Sequence, residues 1–228
     1  MIKNIFLDLD DTILDFHRGE REAITDTLEH FGVKVTDEVI NRYRHFNRMC
    51  WEALERGEMK RDDVLTRRFE LFFESVGERV SAREVQAYYE VRLSEGCYFI
   101  DGAERLLDEL VGKYRLYITS NGTAFVQDRR IAKSGIARYF DGIFISERMG
   151  AHKPAAEFFD ACFAAMEEPV REQTLIIGDS LTSDILGGIN AGIHTCHYTC
   201  GKDVEYSDIK PEYSARNLGQ IPEIIEKI

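Results

Sequence analysis

Short apolar, β-prone runs that break off abruptly into polar residues are the feature that most constrains this chain. Ile5-Phe6-Leu7 runs into Asp8, Leu9, Asp10, Asp11 and Thr12, and Leu116-Tyr117-Ile118 into Thr119-Ser120-Asn121-Gly122. Gly142-Ile143-Phe144-Ile145 ends in Ser146-Glu147, and Leu175-Ile176-Ile177 ends in Gly178-Asp179-Ser180. A strand that is apolar at every position is buried on both faces, and the segments after these runs space their apolar residues by three and four, as helices do. Strands alternating with helices predict an α/β fold built on a doubly wound parallel sheet covered on both sides. Such sheets bind ligands beyond the C-terminal ends of their strands, at the point where strand order reverses. The polar clusters all fall at that edge.

Residues 16–96 break the alternation. Ala23, Leu28 and Phe31, then Val64, Phe69, Phe72 and Phe73, mark long helical patterns with no strand between them. The expected organisation is a core of residues 1–15 and 97–228 with an all-helical domain, residues 16–96, inserted after the first strand.

Charge narrows the partners. With 29 Lys and Arg against 41 Asp and Glu the net charge is −12, and no basic run exceeds Arg67-Arg68 or Arg129-Arg130. Nucleic acid polymers and anionic membrane surfaces, which need clustered cations, are therefore not expected partners. No stretch approaches the ~20 apolar residues of a membrane span, and the first apolar run, interrupted by acids, is too short for a signal peptide. The cysteines at 50, 97, 162, 196 and 200 are odd in number and scattered. Reduced thiols in a cytoplasmic protein, monomeric or homodimeric, are the expectation.

On a strand Asp8 and Asp10 would share a face and bring two carboxylates to one site, although Asp11 or Thr12 capping a helix is the alternative. Asp179 at another strand end, with Asp184 beyond it, would add oxygens suited to Mg²⁺; alone, Asp179 or Ser180 reads as a helix cap. Ser120-Asn121-Gly122 at the mouth of a helix offers N–H groups to an anion, or caps that helix. Lys153 precedes Pro154, which predicts a helix running through Phe158 and Phe159; a single lysine there is ordinarily solvated.

Taken in order, acid pair, hydroxyl, lysine and acid, the chain resembles the haloacid dehalogenase superfamily of phosphohydrolases from residue 3 to about 200. The helical insert then corresponds to that superfamily's cap. By this resemblance Asp8 is the nucleophile that becomes an aspartyl phosphate. Asp10 is the acid and base, a role calling for a carboxyl raised toward neutrality by acidic surroundings. Ser120 and the backbone N–H of Asn121 hold phosphate oxygens, with Thr12 also among the substrate-binding residues, and Lys153 bridges nucleophile and phosphate. Asp8, the main-chain carbonyl of Asp10 and Asp179 hold Mg²⁺, supported by Ser180 and Asp184. Cations are needed because like charges at 4 Å repel by about 4 kcal/mol at an effective dielectric of 20.

Thr119 to Gly122 with Gln127 and Arg130, then Ser134-Gly135-Ile136, Tyr139-Phe140-Asp141 and Thr182 to Ile193, is similar to the pyrimidine 5′-nucleotidase group. Asn47, Trp51, Gly57, Arg68 and Phe69 match that group's cap. Ser120 departs from the group's more frequent Thr, and His197 from its usual aromatic residue. The resemblance implies a small phosphate monoester as substrate, most of all a pyrimidine nucleoside 5′-monophosphate. Asn47 and Trp51, four apart on one helix face, either contact the base or pack the cap, and Arg67 and Arg68 are equally open. The alternatives are a sugar phosphate phosphatase or a β-phosphoglucomutase-like mutase, which would isomerise without releasing phosphate. A 2-haloacid dehalogenase has no need of Asp10 and Mg²⁺ together, and a non-catalytic phospho-acceptor domain has no use for Asp10. His194, Cys196, His197 and Cys200 are not expected to bind zinc, because on a strand His197 faces away from the other three.

Overall fold

The computed structural model describes residues 1–228. The chain divides into two compact units, Met1–Phe16 with Cys97–Ile228, and His17–Gly96. In chain order the helices are α1 (Phe16–His30), α2 (Asp37–Glu55), α3 (Arg61–Val76), α4 (Ala82–Leu93), α5 (Ala103–Leu110), α6 (Ala124–Ser134), α7 (Ser146–Met149), α8 (Ala156–Ala164), α9 (Leu186–Ala191) and α10 (Ile221–Ile225). The strands are β1 (Asn4–Leu7), β2 (Arg115–Ser120), β3 (Gly142–Ile145), β4 (Thr174–Gly178), β5 (His194–Tyr198) and β6 (Tyr213–Ala215). They form one parallel sheet in the order β3-β2-β1-β4-β5-β6. From β1 the chain steps outward through β2 and β3, then returns to β4 on the other side, so the order reverses around β1.

Strand alternation divides the core into two layers. Ile5, Leu7, Leu116, Ile118, Leu175 and Ile177 pack with Leu106, Leu107 and Leu110 of α5 and Ile221 and Ile224 of α10. Phe6, Tyr117 and Ile176 point the other way, onto Phe158, Phe159 and Phe163 of α8. Phe6 meets Tyr117 edge-on at 5.8 Å and Phe144 at 6.2 Å between ring centroids. Burying each such side chain contributes about 1.5–3 kcal/mol, which fixes the strand ends that carry the polar clusters.

The helical unit packs α2, α3 and α4 around Tyr43, Phe69, Phe72 and Tyr89, all fully buried. Thr36 caps α2 by accepting from Val39 N, and Ser81 caps α4 by accepting from Glu84 N. Gly77, at φ 78°, ends α3 in the left-handed conformation that glycine adopts without strain.

Four local expectations are corrected. β1 ends at Leu7, so strand alternation does not govern Asp8 and Asp10; the chain leaves the sheet in a turn with Asp11 at φ 59° and Asp11 N bonded to Leu14 O. Helix α8 starts at Ala156 rather than at Pro154. Asp184, expected one turn into an ordinary helix, lies instead in a π-helical turn, Leu181–Ile185, ahead of α9. β5 stops at Tyr198, so Cys200, at φ 51°, stands off the strand. β6 has only three residues, too few to show an apolar pattern in the sequence.

Candidate active site

Lys153 organises the sheet edge. Its side chain is 1% exposed, and Nζ donates to Asp8 Oδ1 (2.6 Å), Asp184 Oδ1 (2.6 Å) and Thr119 O (2.8 Å). All three ammonium hydrogens thus have an acceptor. Asn121 fixes the lysine from behind, Oδ1 accepting from Lys153 N and Nδ2 donating to Lys153 O, each at 2.9 Å. The Asn121 side chain is thereby a clamp on the lysine backbone. Burial opposes the ammonium charge, but Asp184 and Asp8 outweigh it and hold Lys153 above its ordinary range.

Asp8, Asp179 and Asp184 bring carboxylate oxygens within 4.8 Å of one another. Three carboxylates against the one ammonium leave a formal charge of −2. Burial pushes Asp8 up to about 8, with Asp184 and Asp10 adding to the shift and Lys153 opposing it. Burial and the neighbouring Asp8 and Asp184 likewise hold Asp179 well above the carboxylate range. A buried oxygen cluster short of two positive charges fits a hard divalent cation. Asp8, Asp179 and the Asp10 carbonyl would hold it. Asp184 is turned to Lys153 and to Ser180 N (3.1 Å), and Ser180 Oγ accepts from Ser183 N. Gly178 is required here, since a Cβ on it would lie 2.2 Å from the Asp184 carboxylate.

Asp10 has other company. Gln127 Nε2 donates to its Oδ2 at 2.6 Å and Arg130 Nη1 to its Oδ1. Its immediate partners are thus an amide and a guanidinium, not the acidic surroundings expected. The Asp10 charge is still close enough to push Asp8 upward. Ser120 Oγ accepts from Gln127 Nε2 (2.9 Å) and Gly122 N (3.1 Å). Thr12 is fully buried, with no hydrogen-bond partner at Oγ1.

His197 Nε2 lies 2.9 Å from Asp179 O and Nδ1 2.8 Å from Tyr206 OH. A carbonyl only accepts, so Nε2 carries the hydrogen and Tyr206 donates to Nδ1. Burial lowers His197, in keeping with a neutral ring. The imidazole therefore ties the main chain of Asp179 to the segment bearing Tyr206. A cavity of about 280 Å³ adjoins Asp179, lined by Thr182, His197, Thr199, Cys200 and Lys202 among others. His194 pairs with Glu212 instead.

In the helical unit Asn47 Nδ2 donates to Glu20 Oε1 (3.0 Å) and Oδ1 accepts from Arg68 Nη1 (2.6 Å), so its amide is committed inside the bundle. Of the two readings left open for Asn47, these contacts are those of a residue that packs the helical unit. Arg68 also donates to Gln86 Oε1, whereas Arg67 pairs with Glu70 at the surface. Trp51 is half-buried, packed against Cys50, Leu54 and Val64 with Arg61 5.8 Å from its ring. Gln127 and Arg130, which the sequence offers only as part of a resemblance and without a role, and Tyr206, which it does not single out, are the further participants. The first two stand three apart on α6 and so share a face, a signal available in the sequence.

Comparison with known proteins identifies the family. The family model of haloacid dehalogenase-like hydrolases matches residues 2–192. The HAD-hydrolase YfnB of Bacillus subtilis is 35% identical over 98% of this chain and 95% of its own. Its crystal structure, described as bound to magnesium and revealing interdomain movement, matches with a TM-score of 0.93 over 98% of each chain. The pyrimidine 5′-nucleotidases PynA of Streptococcus pneumoniae and YjjG of Escherichia coli are 32% and 29% identical, over 99% and 98% of this chain and 95% and 97% of theirs. The chain belongs to the haloacid dehalogenase-like hydrolases. No helix is long and apolar enough to cross a membrane.

Proposed function

We propose that the chain is a Mg²⁺-dependent phosphatase of small phosphate monoesters, with pyrimidine nucleoside 5′-monophosphates as its preferred class. The observation that carries it is the buried Lys153 ammonium shared by Asp8 and Asp184 beside an acid cluster two charges short. The relatives named pyrimidine 5′-nucleotidases support the substrate class.

An Asp8 oxygen attacks phosphorus, the bond to the leaving oxygen breaks, and Asp10 gives that oxygen its proton. Asp10 then takes a proton from water, which attacks the aspartyl phosphate and frees Asp8. Lys153 neutralises charge on Asp8 and on the phosphoryl oxygens, which Ser120 and the Asn121 N–H also bind. Mg²⁺, when bound, supplies the remaining positive charge that lets a phosphate dianion sit beside carboxylates.

Phosphate release from a panel of monoesters with Mg²⁺ tests the assignment. UMP, dUMP or dTMP should exceed hexose phosphates in kcat/KM. Trp51→Ala shows whether the helical unit contributes to base choice: the ratio of nucleotide to aryl phosphate hydrolysis should fall. Better turnover of hexose phosphates would overturn the nucleotide assignment while leaving the phosphatase.

A further inference from the structure

Taking the chain as a phosphatase with Asp10 as acid and base, as proposed above, we propose that Gln127 and Arg130 are positioning residues that hold Asp10 and couple it to the Ser120 hydroxyl. Both are 1% exposed, and Arg130 is among the largest fully buried side chains of the molecule. A buried guanidinium is strongly unfavourable unless its donors and charge are answered, and the carboxylate that answers this one is Asp10. The Phe16 ring lies 5.8 Å from the guanidinium carbon.

Hydrogen-bond chemistry fixes the Gln127 amide. A guanidinium only donates, so the amide atom that faces Arg130 must be the acceptor. Oε1 must therefore face Arg130 Nη1 (3.0 Å) and Nε2 must face Asp10 Oδ2 (2.6 Å). The second Nε2 hydrogen goes to Ser120 Oγ at 2.9 Å, leaving no polar atom of the amide idle. Ser120 Oγ, already accepting from Nε2 and from Gly122 N, keeps its own hydrogen to donate. A phosphate oxygen arriving at Ser120 would take that hydrogen and strengthen the pull of Oγ on Nε2, the hydrogen that neighbours the one on Asp10. One amide thus links phosphate occupancy to the placement of the acid.

Gly122 supplies an independent observation. A Cβ there would lie 2.3 Å from Gln127 Nε2 and 2.8 Å from its Cδ, so the glycine is the space in which the amide sits.

Leaving-group chemistry separates positioning from mere structure. Departure of a nucleoside 5′-alkoxide needs the Asp10 proton; p-nitrophenolate leaves without it. In Gln127→Leu and Arg130→Met, kcat/KM with Mg²⁺ should fall about 100-fold for UMP, the scale of a general-acid contribution, and less than about tenfold for p-nitrophenyl phosphate. Asp10→Asn sets the benchmark ratio, and Arg130→Lys should restore UMP hydrolysis to within about tenfold of wild type. Gly122→Ala, which displaces the amide without touching it chemically, should reproduce the selective loss if Arg130→Met fails to fold. An equal loss on both esters, or none, would overturn the proposal alone. Wild-type inactivity on both would remove the phosphatase assignment and this proposal with it.

Discussion

The two units both bury charge, but to opposite ends. In the helical unit Glu20 is met by Arg44 at 3.0 Å and by Asn47, which passes to Arg68 and on to Gln86, so α1, α2, α3 and α4 are joined by one internal chain of donors and acceptors. Burial raises Glu20, and Arg44 leads the groups that pull it back. At the sheet edge three carboxylates cluster beside one ammonium, which pairs with only two of them. Buried charge that is answered from within holds a scaffold together, whereas buried charge left over marks a place for something the chain does not supply. The contrast can be broken at either end.

The largest effect is expected at the nucleophile. Asp8→Asn keeps the shape but replaces the attacking oxygen with an amide, and should lower turnover of p-nitrophenyl phosphate with Mg²⁺ by roughly 10⁴-fold or more. Circular dichroism should show the fold retained. More than a few per cent of residual activity would rule out the aspartyl phosphate.

Next comes the helical unit. Arg68→Ala leaves the Asn47 and Gln86 oxygens without their donor and strips packing from Phe69 and Tyr89, whose rings lie 5.0 and 5.1 Å from the guanidinium. A loss of about 3 kcal/mol is expected in urea unfolding. A loss below about 1 kcal/mol, the range of exposed pairs, would mean that this network is not holding the bundle.

The edge should respond in the opposite sense. Asp179→Asn removes one of the crowded carboxylates and should stabilise the metal-free protein by about 1 kcal/mol, raising Tm by roughly 2–4 °C in calorimetry with EDTA. The same change should abolish stabilisation by Mg²⁺. A lower Tm without metal would show that the excess charge is answered within the unit after all.

These contrasts also explain what could be read beforehand. The sheet, its polar edge and the order acid, hydroxyl, lysine, acid were legible, because strand burial and strand-end chemistry are local patterns in the sequence. The company kept by Asp10 was not. Its partners Gln127 and Arg130 lie 117 and 120 residues away, and strand alternation does not reach Asp10 because the strand ends at Leu7. The sequence leaves Asn47 open between two roles for a related reason. Helical spacing says which residues share a face, but not that Glu20 and Arg68 wait on the far side of it. His197 carried no local sign that its partner would be a main-chain carbonyl.

The smallest effect, and the most diagnostic of leftover charge, is the pH dependence of stability without metal. A carboxyl whose folded pKa lies above its unfolded value binds protons more tightly when folded, so it stabilises at low pH and loses that contribution as pH rises through the folded pKa. For the edge the window runs from the ordinary 3.8 toward the value near 8 to which burial pushes Asp8, with Asp179 displaced in the same direction. His197 works the other way, because a lowered histidine gains stability as pH rises through its ordinary 6.5. Above pH 7 that opposing contribution is nearly complete, and the acid cluster is left to set the slope. Metal-free stability should therefore decline between about pH 7 and 8.5, by less than about 1 kcal/mol since Asp8 and Asp179 crowd one another and do not lose their protons independently. Mg²⁺ must displace the same protons, so its stabilisation should grow over that interval. Asp179→Asn should flatten both trends. Stability that rises with pH in EDTA, or an Mg²⁺ effect independent of pH, would mean that the edge is already neutralised, and the distinction between the two units would fall with it.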